Sequence, residues 1–194
     1  MDMPFDAGDG EADEALLLAC GRGDARAARL LTLRMTPWVL SYARRLLRDA
    51  AEAEDVAQEA MLRLWRIAPD WRPGEARVTT WLYRVVTNLC TDRLRRRRGA
   101  ALYEVPEPPD DSPGAEARLQ QAARVAALDA ALARLPERQR QAVILRHIEG
   151  LSNPEIAAVL EIGVEAVESL TARGKRALAR TLAGQREALG FDDD

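Results

Sequence analysis

Residues 152–180 read SNPEIAAVLEIGVEAVESLTARGKRALAR, and this stretch decides the architecture of the C-terminal half. Ser152 followed three residues later by Glu155 is a capping box, and Pro154 is tolerated in the first turn, where an N–H has no intrahelical partner. Ile156, Ala157, Val159 and Leu160 then carry a short amphipathic helix that stops near Ile162-Gly163. A second helix begins at about Val164. On it Ala166, Val167, Leu170, Gly174, Ala177 and Leu178 share one side, while Glu165, Glu168, Ser169, Ala172, Arg173, Lys175, Arg176 and Arg180 cover the other. Two short helices joined by a tight Gly-containing turn form a helix-turn-helix. The polar side suits a DNA major groove, where Arg, Ser and Glu can meet base edges and phosphates. Taken alone, it reads equally well as an ordinary amphipathic surface helix.

Working outward, Leu135-Pro136 opens the preceding helix, whose apolar residues Ala142, Val143, Leu145 and Ile148 lie before the break at Gly150. This second unit covers 123–185, followed by a tail, 186–194, that ends in Asp192, Asp193 and Asp194. Upstream the character changes over 99–122. Pro106, Pro108, Pro109 and Pro113 alternate there with Glu104, Glu107, Asp110, Asp111 and Glu116, a composition that reads as a flexible, acidic, Pro-rich linker. Residues 12–98 form the first unit, helical with interruptions at 21–24, 48–53 and 70–79, and residues 1–11 read as a disordered acidic tail. The expected fold is therefore all-α, two small helical domains on one linker.

Composition supports this and removes other classes. The chain has 194 residues, 47% of them hydrophobic, with few β-branched runs and apolar positions at helical spacing. No stretch reaches the roughly 20 apolar residues of a membrane span, and the acidic N-terminus is unlike a secretory signal, so no membrane insertion and a cytoplasmic location are expected. Cys20, Cys90 and the single His147 lack metal-ligand spacing and read as structural. Phosphate loops, nucleophile elbows and metal motifs are missing, so neither an enzyme nor a metal or other cofactor is expected. The net charge of −3 is sorted along the chain. Residues 1–24 are acidic, whereas 77–98 carry seven arginines against Asp92, as suits a protein that meets a polyanion with one surface.

The helix from about Thr80 to Arg98 has a narrow mixed polar stripe, Arg84, Thr87, Asn88, Thr91 and Arg95, beside an apolar arc that includes Trp81, Val85 and Leu89. The loop ahead of it, Trp71 to Thr79, carries an aromatic and two arginines, Arg72 and Arg77. Aromatic faces with cationic groups are what unstacked single-stranded bases need. Trp81 reads as core; Trp71 reads either way. A third helix, about Ala53 to Ala68, turns Val56, Ala57, Ala60, Met61, Leu64 and Ile67 inward and shows Asp55, Gln58, Glu59 and Arg66 outward around Leu62. That face reads as a docking surface for a basic helix or as a solvated face.

Together these segments resemble the extracytoplasmic-function sigma factors, the smallest group of the sigma-70 superfamily. The matching residues are 53–59 (AEDVAQE) with Leu62, Arg63, Leu64 and Trp65; 80–88 (TWLYRVVTN) with 92–96; and, in the second unit, 135–140 (LPERQR), 149–152 (EGLS), 155–157 (EIA) and the helix from Val164. The resemblance spans roughly residues 13–182. It implies that Asp55, Gln58, Glu59, Leu62 and Trp65 bind core RNA polymerase. It assigns Trp71, Arg77, Thr79, Arg84, Thr87, Asn88, Thr91 and Arg95 to the promoter minus-ten element, with Trp71 and Asn88 near a flipped base. Glu165, Glu168, Ser169, Ala172, Arg173, Lys175 and Arg176 would face the minus-thirty-five element; Glu168 and Ala172 depart from the basic and bulky residues found in relatives. The linker would thread toward the polymerase active centre, and an anti-sigma factor is implied as a further partner. The rival readings are a helix-turn-helix regulator acting on duplex DNA without polymerase and a helical adaptor that binds no DNA.

Overall fold

The computed structural model describes residues 7–100 and 116–183. Eight α-helices are laid out in them: α1 (Ala7–Gly21), α2 (Ala25–Leu47), α3 (Ala50–Ile67), α4 (Val78–Ala100), α5 (Glu116–Ala133), α6 (Glu137–His147), α7 (Asn153–Leu160) and α8 (Val164–Ala183). A single 3₁₀ turn, Ala68–Asp70, follows α3. The all-α reading holds.

Local chemistry sets the helix ends. Asp24 caps α2 by accepting from the amides of Arg26 and Ala27 at 2.8 and 3.1 Å, and Asp49 caps α3 by accepting from Glu52 N–H at 2.9 Å. Arg48, between α2 and α3, closes α2 with a left-handed φ of 56°. The capping box expected at Ser152 is formed. Glu155 N–H points to Ser152 Oγ at 3.4 Å, and the Glu155 carboxylate accepts from Ser152 N–H at 2.8 Å.

Helices α1 to α4 enclose a core of Leu17, Leu31, Met35, Tyr42, Leu64, Leu82, Val86 and Cys90, all almost inaccessible to solvent. Gly21 brings the end of α1 against the 3₁₀ turn so closely that a Cβ there would sit 2.4 Å from the Ala68 carbonyl oxygen. In the second unit Leu132, Ile144, Leu145, Ile156, Leu160 and Val167 join α5 to α8. Gly174 permits the close approach of α8 to α6.

Three boundaries differ from expectation. α1 already starts at Ala7, inside the stretch read as a tail. The linker expected over 99–122 is shortened from both ends, because α4 continues to Ala100 and α5 begins at Glu116. The run EARLQQAARVAALDAALA (116–133) is built almost wholly of strong helix formers, which outweighs the acidic prolines just upstream. Residues 101–115, the heart of the linker, and the C-terminal tail from 184 lie outside the described residues. The two units also touch. α7 lies along α4, and the buried apolar residues of both halves form one continuous cluster.

Candidate nucleic-acid and partner interfaces

The outer face of α3 has the composition expected of it. Val56, Ala57, Ala60, Met61 and Leu64 are buried, while Asp55 and Gln58 are exposed beside Leu62 and Trp65, which leave 37% and 38% of their surfaces in solvent. These four line a groove whose other wall is Thr32, Thr36 and Leu40 of α2. Arg63 donates to Glu59 at 2.8 Å and holds its carboxyl below the usual range. A stable monomer gains nothing by exposing a Trp and a Leu side by side among acids and amides; such a patch is suited to a partner that covers it.

The loop between α3 and α4 is built as a receptacle. Trp71 meets Trp81 edge to face, with ring centroids 6.3 Å apart. The two indoles line a hollow with Ile67, Asp70, Arg72, Glu75, Ala76 and Arg84. Glu14 of α1 suspends the loop. One of its oxygens accepts from the Trp71 indole N–H and from the Gly74 amide, each at 3.1 Å. Gly74 has a φ of 81°, which favours glycine. Trp81, read as core, is only half-buried, packing against the edge of the core with part of its ring on the hollow, and Trp71 is half-buried there too.

Along α4 the polar stripe divides. Arg84, Asn88 and Arg95 are exposed, and Arg95 pairs with Asp92 at 2.9 Å. Thr87 instead lies in the core, where its hydroxyl donates to the Tyr83 carbonyl at 2.7 Å and sits 2.8 Å from the Tyr42 hydroxyl. Helical spacing put it on the stripe, but an aromatic pocket under α4 supplies a partner that lets the hydroxyl be buried. Thr79 and Thr91 are half-buried. Thr91 accepts from Gln141 of the second unit at 2.9 Å, and Arg77 and Arg84 pair with Glu155 and Glu161 at 3.5 and 3.6 Å.

On α8, Val167 and Gly174 are buried and Glu165, Glu168, Ser169, Ala172, Arg173, Lys175 and Arg176 are exposed, as the amphipathic pattern requires. Ala166, read as inward, is exposed in the first turn of α8. Glu168 accepts from Asn153 at 3.4 Å, and Arg173 donates to the Ser169 carbonyl at 3.2 Å. His147, at the end of α6, is held below the usual imidazole range by partial burial and by Lys175 and Arg146.

Sequence reasoning missed a buried polar node. Glu149, only 8% exposed, accepts from the Tyr83 hydroxyl at 2.9 Å and from Arg45 at 3.1 Å. Burial raises its carboxyl pKa against the opposing pull of Tyr83 and Arg45. Tyr83 in turn packs on Trp38 and Tyr42 at centroid distances of 4.5 and 5.1 Å. The only sequence signal was an acid just before a helix-breaking glycine. Cys90 is buried and its thiol is pushed up to about 12, consistent with a structural role.

The chain matches the family model of sigma-70 region 2 over residues 31–100 and that of sigma-70 region 4 over 126–178. It is 33% identical to the RNA polymerase sigma-H factor of Pseudomonas aeruginosa, covering 89% of this chain and 94% of that one. With the ECF sigma factor SigM of Mycobacterium tuberculosis it shares 36% identity over 88% of this chain and 85% of the relative. A solved structure of CnrH with the cytosolic domain of CnrY is similar at a TM-score of 0.68 and 29% identity, over 89% of this chain and 98% of CnrH. The chain belongs to the extracytoplasmic-function group of the sigma-70 family. It is a sigma factor of bacterial transcription initiation, and sigma factors are typically non-enzymatic regulatory proteins. Among the described residues no helix is long and apolar enough to cross a membrane.

Proposed function

We propose that the outer face of α3, with Asp55, Gln58, Glu59, Leu62 and Trp65, docks on core RNA polymerase, and that the Trp71 loop with α4 opens the promoter minus-ten element while α8 reads the minus-thirty-five element. The hollow floored by Trp71 and Trp81, with Arg72 and Arg84 on its lining, carries this assignment. A regulator of closed duplex has no use for an aromatic receptor beside a basic helix. A protein that captures an unstacked base does, and such stacking contributes roughly 1–3 kcal/mol per base. Asn88, exposed one turn beyond Arg84, supplies an amide able to pair with a base edge. A protein partner of the anti-sigma kind belongs to the same reading, since CnrH is held by the cytosolic domain of CnrY. The site of action is the cytoplasm, where polymerase works.

The test is permanganate reactivity of unpaired thymines on promoter duplex with reconstituted holoenzyme. Trp71→Ala and Asn88→Ala holoenzymes should bind duplex promoter, melt it poorly, and recover only partly on a template already opened across the minus-ten region. Full reactivity from both variants would show that the base receiver lies elsewhere.

A further inference from the structure

The outer face of α8 mixes cations with a carboxylate placed where helix stability does not call for one. Glu165 stands in the first turn, where a negative charge meets the positive end of the helix. Glu168 stands a full turn past Val164, the first residue of α8, and that attraction falls off within the first turn. Its neighbours at helical spacing are Val164, Glu165, Thr171 and Ala172, so no intrahelical ion pair is open to it, and the charged one among them is another acid. Arg173, the next cation along, is turned to the Ser169 carbonyl at 3.2 Å. The partner Glu168 does have lies on the other helix of the pair: the Asn153 amide of α7 donates to Oε1 at 3.4 Å.

Resting on the assignment of α8 to the minus-thirty-five element, we infer that Glu168 is a specificity-determining residue that accepts from the amino group of a cytosine, and that Asn153 is its positioning residue. On a surface that meets DNA, a carboxylate repels phosphates, against the attraction supplied by the exposed Arg173, Lys175 and Arg176. It becomes favourable in a major groove where it accepts a hydrogen bond from a base, and the donors there are the amino groups of cytosine and adenine. Adenine sets its amino group beside the N7 acceptor, which repels a group that only accepts. Cytosine has no such acceptor of its own on that edge, so an ionised Glu selects it. The local geometry suits this use. Asn153 is half-buried at the start of α7 and occupies Oε1, which leaves Oε2 of the exposed Glu168 for the base. A side chain tethered at its tip before DNA arrives has less freedom to lose on contact. Ala172, exposed one turn along the same face, adds little bulk, so the backbone of α8 can come close enough for Glu168 to reach a base edge.

Reconstituted holoenzyme transcribing a promoter library randomised over the minus-thirty-five element, with the transcripts sequenced, reads base preference position by position. The wild-type should favour a C·G pair at the position that Glu168 contacts. Glu168→Ala, an exposed and helix-compatible change, should lower discrimination there about tenfold, within the range for one base contact, and leave the other positions as they were. Glu168→Gln sets a donor beside the acceptor and should admit adenine on the strand that carried the cytosine. Asn153→Ala should weaken the same preference without changing the preferred base, whereas damage to the fold would lower use of all sequences together. The inference is overturned if Glu168→Ala keeps the wild-type profile, if the position it loosens prefers an A·T pair, or if it raises use of every sequence alike, the result of a carboxylate that only repels phosphate. Arg173→Ala/Arg176→Ala in the same library tests the assignment of α8 separately. A response there, in profile or in salt dependence, with inert Glu168 variants defeats the cytosine contact alone. No response from any of these variants defeats the reading of the element by α8.

Discussion

Gly174→Ala sets two well-known effects against each other at one position. In a helix interior the change gains about 1 kcal/mol of propensity. Here the added Cβ would lie 2.5 Å from Val143 Cγ2 and 3.3 Å from the Gln139 carbonyl oxygen. Carbon atoms prefer roughly 3.5–4.0 Å, so α8 or Val143 must yield by about 1 Å. Val143 has little room, being β-branched, stiff at χ1, and set between Ala142 and Ile144, which are fully buried. Overpacking of this kind costs about 1–3 kcal/mol, so the clash wins and the variant should be less stable by ~1 kcal/mol. Urea unfolding followed by far-ultraviolet circular dichroism measures it. Val143→Ala alone should cost ~2 kcal/mol through lost burial and a cavity. The double variant should lose less than the sum, with a coupling of about 1 kcal/mol, because the new methyl fills space that the valine vacates. A Gly174→Ala chain stabilised by its full helix propensity, or additive single effects, would refute the close approach of α6 and α8.

Three further outcomes follow from the same geometry. Asp55→Arg/Gln58→Arg should fold normally, since both positions are solvent-exposed, yet lose core polymerase in a pull-down, with a penalty of ~2–5 kcal/mol for like charge at a complementary interface. Arg173→Ala and Arg176→Ala should each weaken promoter use: by ~1–3 kcal/mol with altered preference at one position if a base is read, or uniformly with a shallower salt dependence if only phosphate is touched; quantitative footprinting across salt decides. Hydrogen bonds from the Glu52 amide and from Arg97 hold the Asp49 carboxyl below its ordinary value of 3.8, so its contribution to stability is present above that value and lost as pH falls through the folded-state value. Asp49→Asn should keep the cap but flatten that acid-range loss in pH-dependent urea titrations, whereas Asp49→Ala should cost ~0.5–2 kcal/mol already at neutral pH.

Much of the molecule was legible because its signals are local. The Ser152–Glu155 box and the Gly163 turn set the bounds of α7 and α8 within one or two residues, and the alternating faces of α3 and α8 came out almost residue by residue. The failures share a different cause. Thr87 was misplaced because the partner of its hydroxyl, Tyr42, lies 45 residues away, and no periodicity announces a long-range hydrogen bond. Glu149 was passed over because Tyr83 and Arg45 lie 66 and 104 residues upstream. Likewise, the contact between the units depends on shape and charge brought together only by folding, which a linker rich in proline and acid gave reason to discount.

Glu14 has a consequence for where loop behaviour is set. The sigma-70 region 2 match begins at residue 31, so the carboxylate that hangs Trp71 and Gly74 belongs to a helix ahead of the matched segment. The ordering entropy of the Trp71 loop is therefore lost during folding, and under the proposed function a base would meet a finished surface instead of organising one. Control of that surface lies 57 residues upstream, in a side chain on α1 rather than in the loop itself. Relatives with identical loops but a different first helix need not melt DNA at the same rate.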